Sequence, residues 1–142
     1  MAYEIFCADW AVAYRASLHE SEAYKKAATS WEWPLVLRVT VDPAQGIPRD
    51  LAVYLDLWHG ECREARVASK EDMESAPYVV SADAYTWRQV LDKKMEPISG
   101  IMRGKIKLVR GSVITLAGYI PAARYLVEAA THIDTRFPGD PT

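Results

Sequence analysis

Three histidines (His19, His59, His132) and two cysteines (Cys7, Cys62) are the side chains most able to act as metal ligands, bases or nucleophiles. Their spacing offers none of that chemistry. No His-x-x-x-His, His-Glu-x-x-His or Cys-x-x-Cys occurs, so neither a metal site nor a cofactor is expected. The cysteines read as packed free thiols of a reducing cytoplasm. Asp56, His59 and Glu61 cluster around one turn. They read as a polar turn, or, if they converge in a cleft, as the acid–base group of an enzyme acting on hydrophobic substrates. No Gly-x-Ser-x-Gly elbow is present. Gly100 to Lys105 places three residues between its glycines where a phosphate loop needs four, and Ile106 follows the lysine. The chain is therefore expected to be non-catalytic.

Charge narrows the partners further. The net charge is −2, from 17 basic and 19 acidic residues, which is no footprint of a nucleic-acid binder. The distribution is uneven. From Tyr85 to Tyr125, Arg88, Lys93, Lys94, Arg103, Lys105, Lys107, Arg110 and Arg124 face only Asp92 and Glu96. That segment is +6 and the remainder −8. It is either a solvated face or one that meets headgroups, phosphates or an anionic membrane surface. No apolar run approaches the ~18 residues of a membrane span, and no secretory signal opens the chain, so a cytoplasmic protein is expected.

The elements that must position these residues follow from periodicity. At 142 residues and 50% hydrophobic, the chain suits one domain that buries roughly two thirds of its surface. Trp10, Tyr14, Leu18, Ser21, Tyr24 and Ala28 recur at helical spacing over 9–28. Alternation then predicts strands over 35–41, 51–58 and 61–68, an antiparallel meander with a tight turn at His59-Gly60. The polar stretch 69–76 reads as a linker before a strand at 78–81. Asp83 reads as the N-cap of a helix carrying Trp87, Val90, Leu91 and Met95, with Pro97 ending it. Ile98, Ile101 and Met102 fit one further helical turn. Ile106 and Leu108 alternate with Lys105 and Lys107 in a fifth strand closed by Gly111. Ser112 caps a terminal helical region broken near Gly118 and restarted at Pro121. Grouped strands and segregated helices predict an α+β fold. A single domain over 1–136 and a flexible tail over 137–142 complete the reading.

The segment from Trp87 to Ile133 is dense in large flexible apolar residues interrupted by Gly100, Gly104, Gly118 and Pro121. It builds an ordinary core, or it leaves short helices that cannot close-pack over a sheet and so frame an apolar pocket.

Asp83-Ala84-Tyr85-Thr86-Trp87-Arg88-Gln89-Val90-Leu91, Met95-Glu96-Pro97 and Met102-Arg103-Gly104-Lys105-Ile106-Lys107-Leu108, closed by Gly111, carry a resemblance. Over 79–130 the chain resembles the sterol carrier protein type 2 family (SCP-2 sterol transfer) in its stand-alone prokaryotic form. Lys93 stands where that family usually has glycine, and Gly111 lies one residue later than in the commonest pattern. The ending Gly139-Asp140-Pro141-Thr142 lacks a Ser-Lys-Leu peroxisomal signal, so peroxisomal delivery is not expected. The resemblance implies a five-stranded sheet, an N-terminal helix and C-terminal helices covering one face, and an apolar tunnel between.

The expected function is non-catalytic binding and transfer of a fatty acid, acyl-CoA or sterol-like lipid. The alternative is an accessory interaction domain serving a lipid-metabolising enzyme without a ligand of its own. The expected wall is Trp87, Val90, Leu91, Met95, Ile98, Met102, Ile106, Leu108, Leu116, Tyr119, Ile120 and Leu126. Lys105, Lys107 and Arg110 are expected at a headgroup or membrane rim.

Overall fold

Trp10, Tyr14 and Leu18, four residues apart, stack one above another on a single helix face, and burying them requires a sheet beneath. A computed structural model describes residues 2–137. In chain order the elements are β1 (Tyr3–Glu4), α1 (Ala8–His19), α2 (Glu22–Ala27), β2 (Leu35–Val39), β3 (Leu51–Trp58) and β4 (Glu61–Val67). There follow α3 (Lys70–Ser75), β5 (Tyr78–Ala82), α4 (Ala84–Leu91), α5 (Pro97–Met102), β6 (Lys107–Arg110), α6 (Val113–Ala117), α7 (Ile120–Thr131) and β7 (Thr135–Arg136).

The fold is α+β. A five-stranded mixed sheet has the order β4-β3-β2-β5-β6, with β2 and β5 parallel and the other pairs antiparallel. The meander forms as expected, and β5 crosses over to β2's free edge. Leu35, Val53, Leu55, Leu57, Tyr78 and Val80 line the inner face under the helices. Each such side chain contributes about 1.5–3 kcal/mol through burial. Hydrogen bonds then fix α1 against its neighbours. Tyr14 donates to the Leu126 carbonyl at 2.8 Å and Ser17 to that of Ala129 at 2.7 Å. Arg15 Nε donates to the Cys62 carbonyl at 2.8 Å.

Four sequence expectations change. The helix over 9–28 breaks at Glu20 because the Ser21 hydroxyl accepts from the Tyr24 amide and starts α2. The stretch 69–76 holds α3, whose Met73 packs on Val36, Ala52 and Val79 across the sheet's other face. Pro97 begins α5 instead of ending α4, its missing amide costing nothing in a first turn. Phe137, expected as tail, is buried at 5% exposure beneath the Arg88 guanidinium, 4.4 Å from its ring centroid. The rest of the expected tail, 138–142, lies outside the described residues.

Around α3, Asp72 closes a capping box with Ser69 and takes a two-bond ion pair from Arg66. The Arg66 guanidinium holds the Asp72 carboxyl down to about 2. A carboxyl held below its unfolded value of 3.8 stabilises the fold above that pH and stops doing so as pH falls through its folded value. Asp72→Asn should cost about 1 kcal/mol at neutral pH. Urea midpoints measured against pH should also show a flatter decline in the variant between about pH 4 and pH 2.

Candidate functional site

Between the helices and the sheet's inner face lies a cavity of about 110 Å³. Its floor is Leu35, Leu37, Leu57 and Val80 from three strands. Trp10 and Tyr14 of α1, Tyr24 of α2, and Ala28 and Trp31 just beyond it close one side. Trp87, Val90, Leu91, Pro97, Ile98, Ile101 and Ile106 close the other, and Leu116, Tyr119, Ala122, Leu126 and Val127 form the roof. No polar atom reaches its surface.

That apolarity has a definite origin. Every indole N–H in the wall is committed elsewhere: Trp10 donates to Thr135 Oγ1 at 2.8 Å, Trp31 to the Trp33 carbonyl at 2.7 Å and Trp87 to the Arg38 carbonyl at 2.8 Å. The Tyr14 hydroxyl is taken by Leu126, and burial raises its pKa well above the ordinary range. Tyr119 pairs with Ser30 at 2.8 Å outside the apolar space. Water gains no partner in such a cavity, although the volume would hold several molecules.

Eight of the expected wall residues line the cavity together: Trp87, Val90, Leu91, Ile98, Ile106, Leu116, Tyr119 and Leu126. Four do not. Met102, the last residue of α5, is 72% exposed, while Ile106 packs against Gly100 on the cavity side. Leu108 pairs with Val80 in the sheet and packs on the core without reaching the cavity. Met95 lines an outer groove with Val127, and half-buried Ile120 stands off the wall at the start of α7. The residues missed include strand and α7 side chains and five aromatics from the N-terminal half: Phe6, Trp10, Tyr14, Tyr24 and Trp31. The helical stripe of Trp10, Tyr14 and Tyr24 is a visible signal, but it reads equally well as plain core.

The expected rim does not assemble. Arg110 donates to the carbonyls of Ala76 (2.8 Å) and Met73, so it secures α3 instead of meeting a headgroup. Lys107 pairs in register with Ser81 on the sheet face that Arg38 also occupies, while Lys105 is exposed in the turn before β6. Burial pushes the Cys62 thiol up to about 12, which leaves it inert. Asp56, His59 and Glu61 do not converge in a cleft: Asp56 binds Arg63 through two 3.1 Å bonds, and His59 Nδ1 lies 2.6 Å from the Thr29 carbonyl. Among the described residues, no three His, Cys, Asp or Glu side chains are grouped to hold a metal. No helix of the described residues is long and apolar enough to cross a membrane.

The SCP-2 sterol transfer family model matches residues 15–114. A crystal structure of sterol carrier protein 2 is 46% identical, with a TM-score of 0.83 over 92% of this chain and 99% of its own. A possible sterol carrier protein from Thermus thermophilus, solved in solution, is 44% identical, with a TM-score of 0.84 over 96% of this chain and 94% of its own. Sterol carrier protein 2 of Yarrowia lipolytica, in its apo form, shares the fold at 15% identity and a TM-score of 0.57, over 84% of this chain and 88% of its own. No curated protein matches the chain.

Proposed function

The chain belongs to the SCP-2 sterol transfer family, whose fold serves lipid binding and transfer, and on that premise we propose that it carries one hydrophobic ligand in the cavity without catalysis. The ligand is a fatty acid, acyl-CoA or sterol-like lipid. The observation that carries this reading is a cavity walled by both halves of the chain with no polar atom on its surface. An alkyl chain entering it gains about 0.8 kcal/mol per buried methylene. At about 110 Å³ the cavity is smaller than the ~300 Å³ of a typical ligand pocket, so a long chain must push the wall outward. The α5–α6 pair is the part that gives. Each helix is only five or six residues, and α6 buries no residue at all. Weakly buried elements open at low free-energy cost.

The same pair supports a docking surface for anionic membranes. Met102 and Ile114 are 72% and 83% exposed, with Arg103 and Lys105 following Met102 in the turn. Apolar side chains entering a headgroup layer beside cations suit an anionic bilayer.

One assay reads both steps. A fluorescent fatty-acid analogue should saturate at about one per chain and then transfer several-fold faster to anionic than to neutral vesicles, with the preference lost at high salt. Met102→Ser with Ile114→Ser should slow transfer while leaving equilibrium affinity unchanged. Absence of saturable binding, with no lipid co-purifying in native mass spectrometry, would overturn the carrier reading in favour of a ligand-free accessory domain.

A further inference from the structure

A second depression, about 290 Å³, lies outside the cavity between the turn that follows α4 and the outer side of α7. Val90, Pro97 and Val127 belong to its floor and at the same time to the cavity wall. One layer of side chains therefore separates the two spaces. Four charged residues border the groove: Lys93, Glu96, Arg124 and Glu128. They are not equivalent. The Glu96 carboxylate is spent on α5, accepting from the amides of Ile98 at 3.2 Å and Ser99 at 2.7 Å. Lys93 and Arg124 make no ion pair or side-chain hydrogen bond among the described residues. Glu128, one turn along α7 from Arg124, leaves the unpaired charge net positive.

Lys93 also sits at φ 61°, the left-handed region that glycine enters freely and a lysine enters at a cost. The conformation closes α4: the Lys94 amide donates to the Gln89 carbonyl at 2.9 Å and the Lys93 amide to that of Val90 at 3.0 Å, a helix-ending turn that leaves the Lys93 side chain exposed beside the groove.

We propose that this groove holds the head of an anionic amphiphile, its carboxylate or phosphate oxygens between the Lys93 ammonium and the Arg124 guanidinium. The alkyl chain passes between Val90 and Val127 into the cavity. The inference deepens the carrier reading and rests on it. A charged head cannot follow its chain inward, because the cavity offers no partner and desolvating an anion there is prohibitive. It must stop where the nearest unpaired cations adjoin the wall. Arg124 presents a planar fork matched to both carboxylate and phosphate, and Lys93 adds a mobile point charge.

The test compares three probes of equal chain length, dodecanoate, dodecyl phosphate and dodecan-1-ol, by calorimetric titration at neutral pH and low salt. The wild type should bind one or both anions about three- to tenfold more tightly than the alcohol, the span expected of partly exposed ion pairs. Combining Lys93→Gly with Arg124→Gln should bring the anions to the alcohol's affinity and leave the alcohol unmoved. Lys93→Gly alone should not lower the unfolding temperature. A gain confined to dodecanoate assigns a carboxylate head, and one confined to dodecyl phosphate a phosphate head. Either supports the site. Unchanged anion affinities in the double variant, or an equal loss for all three probes, would reject it while the carrier reading stands. If no probe binds the wild type, the carrier reading fails and the head-group site falls with it.

Discussion

Ala122→Phe should abolish binding of a fluorescent fatty-acid analogue, by at least about tenfold in affinity, without lowering the unfolding temperature. Ala122 is 5% exposed in the first turn of α7, and its side chain is part of the cavity roof. A ring placed there occupies much of the 110 Å³ that a ligand's chain would enter. Overpacking a filled core costs ~1–3 kcal/mol, but this space is empty and gains contacts when filled. Stability and binding should therefore move apart, which a merely damaged protein would not show. Ala117→Phe, on the exposed side of α6, is the matched control and should bind normally. Wild-type affinity in Ala122→Phe would place the ligand elsewhere.

Gly60→Ala should be strongly destabilising. His59 and Gly60 turn β3 into β4 with φ values of 50° and 87°, the two-residue hairpin that needs both residues left-handed. The hairpin tip is pressed against α2. A Cβ at Gly60 would lie 2.5 Å from the Lys25 carbonyl oxygen and 2.9 Å from Lys25 Cα. Both are backbone atoms of α2, so no side-chain rotation relieves the contact. The His59 amide also donates to the Trp31 carbonyl at 2.6 Å, which holds the tip in place. Backbone strain and displacement of α2 together should cost about 3 kcal/mol, or roughly 10 °C of unfolding temperature. Gly104→Ala isolates the strain, because φ there is 76° but nothing lies within 4 Å of the added methyl. It should cost about 1 kcal/mol. Equal losses at both sites would show that contact with α2 is unimportant.

The fold is legible where one element's own residues decide it. Alternation over 51–58 and 61–68 with His59-Gly60 between them can only be a hairpin, and Asp83 caps α4 by accepting from Thr86 at 2.8 Å as its position suggests. The α3 helix is legible too, since Ser69 and Asp72 spell its capping box, but its polar surface masks the signal. Pairing of β1 with β7 is not, because two-residue strands far apart in sequence carry no periodicity. The site divides in the same way. Trp87, Val90, Leu91 and Ile98 face the cavity because α4 and α5 present one apolar side each. Whether Trp10 and Tyr14 meet packed neighbours or empty space is decided by how far the short α5 and α6 reach across the sheet, which their own periodicity does not encode. The charged groove is hidden for a related reason: Lys93 and Arg124 are far apart in sequence, and only α7 lying beside the turn after α4 brings them together.

The parallel pairing of Tyr3 with Thr135 and Glu4 with Arg136 has a consequence for how the protein is made. The first strand of the chain finds its partner only after the last helix has been synthesised. The Tyr14 and Ser17 hydroxyls of α1, a helix that packs on β4, likewise wait for their acceptors on α7. At ~5–20 residues per second, translation leaves those hydroxyls without their α7 acceptors for on the order of ten seconds. The helix layer therefore closes over the cavity late, once α7 and β7 have emerged, and until then the part of the cavity wall they cover is open to chaperones before it is open to lipid.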